Sequence, residues 1–422
     1  MHLINTQVDD SLERLRAKLE QEKERPHHAM DPYFYRSHLV HERELTHLVF
    51  KSWIYALHVS EIPNAGDYQL LEIGEDNIII ARGEDGNVHA MHNICRHRGA
   101  RVCEQASGNR KTFVCPYHGW VYNTDGSLKA ARETHMMTDF RPETMGLKQV
   151  RCVTFMGLVF INCDPEAGDF LSALENIRQP LGAYDLDHAQ VAHRQTYRIH
   201  ANWKLVLENY LECYHCATSH RAYAKMHTLK DLEEKSAPIV NAMLDRADAV
   251  TGIQGISKEH TKIYLDAESF GACVHTMRYG LFDGYLTGSQ DGKPVAPLMG
   301  NIKDYDGGAG DYQMGPLTFM LNYPDHCVLY RFIPRALTET DMEVVWFVRG
   351  DAVPGKDFDV EKVTWLWHHT TMEDEYIIMR NSLGVNSRFF EPGPYHPEFE
   401  FTLQKFVRWY LHTLEHSLSI NA

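Results

Sequence analysis

Two short loops constrain this chain more than any other feature. Cys95-Arg96-His97-Arg98-Gly99 and Cys115-Pro116-Tyr117-His118-Gly119 each supply one cysteine and one histidine, with 17 residues between His97 and Cys115. A glycine closes each loop and permits a tight reversal. Two thiolates and two imidazoles so arranged form a metal-ligand set, and the fold must bring both loops to one point. Cys103 is left over and reads as a buried thiol.

Two kinds of centre suit the set. Zinc takes two cysteines and two histidines in a closed tetrahedral site. A Rieske [2Fe–2S] centre binds one iron through two cysteines and the other through two histidines. Zinc fingers usually pair Cys-x-x-Cys with a distant His-x-x-x-His. Here each loop holds one ligand of each type, so each can reach both irons, which favours the cluster.

The surroundings have β grammar. GDYQLLEI, NIIIAR and VHAMHN are short runs separated by Gly, Asp and Asn, and Asp85-Gly86 marks a hairpin turn. This β-rich stretch runs to about residue 164. Before it, residues 9–24 and 40–58 have helical spacing. After it come a helix over 171–183, a strand over 192–203 and a helical stretch over 202–216. Residues 235–315 are Gly-rich and read as irregular. Strands return in LTFMLNY, CVLYRFIP and MEVVWFVRG, followed by helices at about 358–383 and 398–417. The pattern predicts an α+β protein with a small all-β module inserted in a larger domain. The expected divisions are 1–44, a helical part of the larger domain; 45–165, the β module; and 166–422, the remainder.

Composition narrows the function. A net charge of −15 over 422 residues argues against a nucleic-acid binder, which needs a basic face. The longest apolar runs, such as VTFMGLVFI, are too short to span a bilayer. The polar N-terminus lacks a signal-peptide core, and the nine cysteines are scattered. We therefore expect a reducing cytoplasmic location with no membrane partner.

A second site is expected, because a cluster alone does not need a chain of this length. In ENYLECYHCATSH, residues 208–220, Glu212 and His215 share a helix face. His220 lies about 140° off on an ideal helix. The helix must therefore end or bulge near Thr218-Ser219 if both imidazoles are to converge. Two imidazoles and one carboxylate form the facial triad of non-haem iron oxygenases. Cys213 and Cys216 are expected to pack along the helix face, a redox disulfide being the other reading.

CRHRGARVC…CPYHGWVYNTDGSL resembles the Rieske signature of the Rieske non-haem iron oxygenases, and NWKLVLENYLECYHCATSH resembles their catalytic-helix motif. The resemblance implies a Rieske domain inserted in a helix-grip-like, antiparallel-sheet catalytic domain. It implies that Cys95 and Cys115 bind one iron of the cluster and His97 and His118 the other. His215 and His220 would bind the mononuclear iron. The third ligand would be Asp374, counted back from Ser382-Leu383-Gly384, with Glu373 the near competitor. Asn209 would lie near the iron. Glu212 takes the place of an acid, usually Asp, that carries electrons between subunits of a head-to-tail homotrimer.

Glu212 and the wording ECYHC resemble the branch acting on quaternary ammonium compounds. That implies an N-demethylating monooxygenase of a betaine such as glycine betaine or stachydrine, releasing formaldehyde. Aromatics between 260 and 335 (Tyr264, Phe270, Tyr279, Phe282, Tyr285, Phe319, Tyr323 and Tyr330) could cage such a cation. The alternatives are an aromatic ring-hydroxylating oxygenase acting on an aromatic acid or amine, and a non-catalytic zinc or electron-carrier protein. Dioxygen is the expected co-substrate. No nucleotide fingerprint is visible, so electrons from NAD(P)H must come through a separate flavin or ferredoxin-type reductase.

Overall fold

The computed structural model describes residues 10–251 and 274–419, apart from the side chains of 248–251. Tyr264 and Phe270 lie outside the described residues. The chain divides into two compact units, Trp53–Leu171 and a larger one made of 1–52 and 172–422.

The smaller unit is all-β. A seven-stranded antiparallel sheet runs in the order Ile54–His58, Leu158–Asn162, Gln149–Phe155, Val88–His92, Asp76–Arg82, Asp67–Ile73, Ser107–Asn109. Three short strands, Phe113–Val114, Val121–Tyr122 and Leu128–Ala130, form a second sheet. The Asp85-Gly86 turn joins the strands that pair Arg82 with Val88, and Gly86 takes a φ of +78°. Residues 40–58 are not one helix. Helical backbone ends at Val49, and Ile54–His58 is a fully buried strand paired with 158–161. Its helical spacing came from continuous burial, which periodicity cannot tell from an apolar helix face.

The larger unit is built on a six-stranded antiparallel sheet. Its strands are β1 (Ala189–Ile199), β2 (Val274–Gly280), β3 (Gly308–Met314), β4 (Thr318–Asn322), β5 (Cys327–Ala336) and β6 (Glu339–Arg349), in the order β1-β6-β5-β4-β3-β2. Among its helices are α1 (Trp203–Tyr210), α2 (Cys216–Ser219), α3 (Arg221–Met226), α4 (Glu233–Thr251), α5 (Val360–Val385) and α6 (Phe401–Ser417). The stretch expected to be irregular thus holds α4, β2 and β3. No described helix is long and apolar enough to cross a membrane.

The Asn-Trp-Lys opening of α1 anchors it twice. Asn202 caps the helix by accepting the Lys204 N–H and donates its amide to the Leu337 carbonyl at 2.9 Å. Trp203 Nε1, Lys204 Nζ and the Tyr410 hydroxyl all donate to the Glu44 carboxylate, at 2.8, 2.5 and 2.5 Å. Glu44 and Lys204 are both buried. Breaking such a pair by removing one partner leaves a buried, uncompensated charge. Lys204→Met is therefore expected to destabilise the fold by about 3–5 kcal/mol, measured by chemical denaturation. A loss below about 0.5 kcal/mol would mean that Glu44 is satisfied without the lysine.

Candidate active site

The two cysteine–histidine loops are near copies of each other. In each, the cysteine carbonyl accepts the N–H of the glycine four residues on, Gly99 to Cys95 and Gly119 to Cys115, both at 3.0 Å. The cysteine N–H donates back across the loop, to Ala100 and to Trp120, both at 2.8 Å. Gly99 and Gly119 have φ of +79° and +72°, and a side chain at either would find open space around its first carbon. Backbone conformation, not space, is what demands glycine there.

The loops sort their ligands by depth. Cys95 and Cys115 are buried, whereas His97 and His118 are half-exposed. The two Nδ1 atoms lie 3.1 Å apart, close to the separation of about 3.4 Å for two donors on one tetrahedral metal with bonds near 2.1 Å. The indole of Trp120 stacks on His97 at 5.0 Å, and Tyr122 Oη lies 3.2 Å from Cys95 Sγ. Burial, followed by the neighbouring thiol, raises the Cys115 pKa. Cys103 is a buried free thiol, pushed up to about 11 by burial.

The second set lies in the larger unit. The helix carrying it stops at Tyr210, earlier than the sequence suggested. Glu212 explains the break: its carboxylate accepts the Tyr214 and His215 N–H groups, which a continuing helix would commit to backbone carbonyls. A second break follows at His220, with φ −118° and ψ 77°. The two breaks bring three atoms together. His215 Nε2 and His220 Nε2 are 3.0 Å apart, and Asp374 Oδ1 of α5 lies 3.3 and 3.0 Å from them. Neighbouring donors on an octahedral metal with bonds of about 2.1 Å are about 3 Å apart.

The outer bonds settle which ring nitrogen is offered. His215 Nδ1 donates to Glu212 Oε1 at 2.5 Å, and His220 Nδ1 to Glu373 Oε2 at 2.9 Å. Both rings thus present Nε2 inward, the arrangement that orients metal-binding histidines. Asp374 Oδ1 is buried without a well-directed hydrogen-bond donor. Burial disfavours charge on His215, but Asp374 and Glu212 outweigh it and push the imidazole up to about 9. Burial also opposes the Asp374 carboxylate, which the two imidazoles hold below its usual range. The pocket between these atoms therefore attracts a cation, and the residues fit a mononuclear iron. Glu373 reaches only the outer face of His220.

Asn209 Nδ2 lies 3.5 Å from His215 Nε2. Cys216 Sγ is 4.0 Å from the same nitrogen, but it is joined to Cys213 in a disulfide. The two cysteines are thus paired rather than merely packed. His227 is buried between Tyr223 and Tyr323, with Nε2 2.8 Å from the Tyr323 hydroxyl; burial pulls it down to about 3.

His215, His220 and Asp374 line a cavity of about 580 Å³. Tyr210, Tyr223, Tyr279, Phe319 and Trp367 form an aromatic wall, and Phe399 and Phe401 also line the cavity. Tyr210 packs on Phe319 at 4.8 Å, and Tyr223 on Trp367 at 5.6 Å. Of the aromatics noted in the sequence, Tyr279 and Phe319 reach the cavity, while Tyr323 and Tyr330 are buried but do not line it. Tyr210 and Trp367 were missed because helical periodicity already accounted for them as core, and Tyr223 because it lies outside the stretches read as helical.

Comparison with known proteins identifies the class. Residues 52–141 match the Rieske [2Fe-2S] domain, and residues 186–416 match the ring hydroxylating alpha subunit catalytic domain. The chain belongs to the Rieske non-haem iron oxygenases, as a terminal-oxygenase alpha subunit. It is an oxygen-incorporating oxidoreductase that uses a Rieske cluster and a mononuclear iron, which sets the zinc alternative aside. It is 36% identical to the glycine betaine monooxygenase oxygenase subunit of Pseudomonas aeruginosa (strain UCBPP-PA14), over 89% of this chain and 87% of that one. It is also 36% identical to the carnitine monooxygenase oxygenase subunit of Escherichia coli (strain K12), over 45% of this chain and 52% of that one. In fold it is similar to a solved quaternary ammonium Rieske monooxygenase, with a TM-score of 0.70 at 21% identity over 92% of this chain and 95% of the other.

Proposed function

We propose that this protein is a monooxygenase that removes a methyl group from a betaine-like quaternary ammonium compound. The observation that carries the reading is the convergence of His215 Nε2, His220 Nε2 and Asp374 Oδ1 on the wall of a cavity lined by tyrosine and tryptophan. A quaternary ammonium cannot donate a conventional hydrogen bond, so aromatic faces are a suitable partner for it. The names of the relatives in Pseudomonas and Escherichia support the same substrate class.

Each group of residues has its own task. Cys95, His97, Cys115 and His118 hold the cluster, and residues 53–171 form the domain around it. His215, His220 and Asp374 hold the mononuclear iron, which when bound supplies the open positions for dioxygen chemistry. Glu212 and Glu373 fix the tautomers of the two histidines. Glu212 also links the two centres, through a head-to-tail homotrimer in which the cluster of one subunit serves the next. Asn209 sits beside His215 at the rim of the site. The aromatic wall holds an N-methyl group toward the three ligands and keeps bulk water from it. One oxygen atom enters the methyl C–H bond and the other leaves as water, with two electrons from a separate cytoplasmic reductase and two protons from solvent. The resulting hemiaminal releases formaldehyde and the demethylated amine.

Oxygen uptake tests the substrate class. The iron-loaded protein is supplied with NADH and a surrogate reductase, and is offered betaines, carnitine, choline and aromatic acids. Uptake stimulated by a quaternary ammonium compound is expected. Uptake stimulated only by an aromatic acid would move the chain to ring hydroxylation.

A further inference from the structure

The floor of the cavity is one face of β2, β3 and β4. Register sets Asp311 of β3 between Met277 and Leu321, and all three line the cavity. Side chains in register share a face of the sheet. Two residues along, Gln313 lines the same floor. Asp311 is the only acid that the sheet contributes to the lining among the described residues.

No hydrogen bond or ion pair among the described residues reaches its carboxylate. Its charge is felt by Tyr210, Tyr223 and Tyr279, three members of the aromatic wall. Burial alone pushes its carboxyl up to about 7. A carboxylate placed in an apolar cavity without a partner is unfavourable. It becomes favourable when a cation lies against it, and the same cation gains from the surrounding aromatic faces. A bound anion meets the opposite situation: an aromatic carboxylate against Asp311 would face a like charge, and the cation that β2 adds to the lining, Arg278, is paired with Asp306 at 2.7 Å.

We propose that Asp311 is the counter-charge that selects the cationic end of the substrate and rejects aromatic anions. This inference rests on the quaternary-ammonium reading given above and assigns it to a residue. Asp311 takes no part in the oxygen chemistry. It acts by binding and positioning the ammonium over the sheet floor of the same cavity, with one N-methyl group toward the iron ligands.

The test compares the best quaternary ammonium substrate with its carbon isostere, in which a tert-butyl group replaces trimethylammonium. Binding of both is measured by calorimetry on the full holoprotein. The wild type is expected to bind the ammonium at least about tenfold more tightly. Asp311→Asn is expected to raise Kd and KM for the ammonium about 10–100-fold. Its affinity for the isostere should stay unchanged or improve, with iron content and the cluster spectrum intact. Equal losses for both ligands, or an unchanged ammonium Kd, would overturn the role of Asp311 while leaving the substrate class standing. Wild-type protein that binds no quaternary ammonium compound but does bind an aromatic acid would overturn the substrate class and this inference with it. Wild-type discrimination between ammonium and isostere needs no variant, so failure of Asp311→Asn to fold leaves that arm decisive: a wild type that binds both equally overturns the proposal.

Discussion

Asp374→Ala protein is expected to purify with about two irons per chain instead of three, an unchanged cluster spectrum and no turnover. The reason is geometric. Asp374 Oδ1 is the third corner of a triangle whose sides are 3.0, 3.0 and 3.3 Å. Without it, two imidazoles remain as inner donors, and the carboxylates of Glu212 and Glu373 reach only their outer nitrogens. Loss of an outer carboxylate on a ligand histidine typically lowers metal affinity or activity about 10–100-fold, so loss of an inner ligand should exceed that. Glu373→Gln is the informative companion. Among the described residues its carboxylate touches only His220 Nδ1, and glutamine can still accept that N–H. The variant should keep its iron and lose at most about tenfold in activity. Iron analysis beside the absorption spectrum checks both. The reverse pattern, with iron lost on Glu373→Gln and kept on Asp374→Ala, would exchange the two assignments.

Glu212→Ala is expected to keep both metal centres and yet lose turnover by about a hundredfold or more. Glu212 makes two kinds of bond. Oε1 accepts from His215 Nδ1, and Oε2 accepts backbone N–H groups that hold the turn open. Alanine removes both. Glutamine keeps the acceptor for Nδ1 and removes only the charge. A purely structural role would be rescued by Glu212→Gln. An electron-linking role would not: the reduced cluster should reoxidise slowly in a single-turnover experiment with both variants, although iron content stays near normal. Near-normal reoxidation in Glu212→Ala would remove Glu212 from the electron path.

The parts of this protein that were legible in the sequence are those whose geometry is local. Each cysteine–histidine loop is closed by a bond between residues four apart, Cys95 with Gly99 and Cys115 with Gly119. Spacing therefore carries most of the information. The Asp85-Gly86 hairpin is legible for the same reason. In the iron helix the need for a break followed from the five-residue step between His215 and His220. That break falls where expected, after Ser219; the earlier one after Tyr210 did not follow, because it is made by the Glu212 side chain capturing backbone N–H groups, and helical periodicity runs through it undisturbed. Asp374 lies on a helix more than 150 residues away from His220, in an acidic run where Glu373 stands beside it as a competitor. Only the packing of α5 against the broken helix brings one oxygen to both imidazoles.

The cavity was the least legible part. Its floor is assembled by the register of β2, β3 and β4, two of which fall in a stretch that reads as irregular loop. Asp311 in particular has no sequence signal. It is one acid in a strand, and its meaning comes from the tyrosines that three other elements place around it. Tyr210 and Trp367 are hidden for a complementary reason. An aromatic on a helix face that also meets the core satisfies the apolar pattern whether or not a cavity lies beyond it.

Formaldehyde release tests the central claim most directly. Iron-loaded protein with a surrogate reductase, NADH and oxygen is incubated with glycine betaine, stachydrine, carnitine and choline in turn, beside several aromatic acids. The account predicts that one quaternary ammonium compound yields formaldehyde and its demethylated amine in equal amounts, matched to the oxygen consumed. Oxygen consumption with a hydroxylated aromatic product and no formaldehyde from any betaine would contradict it.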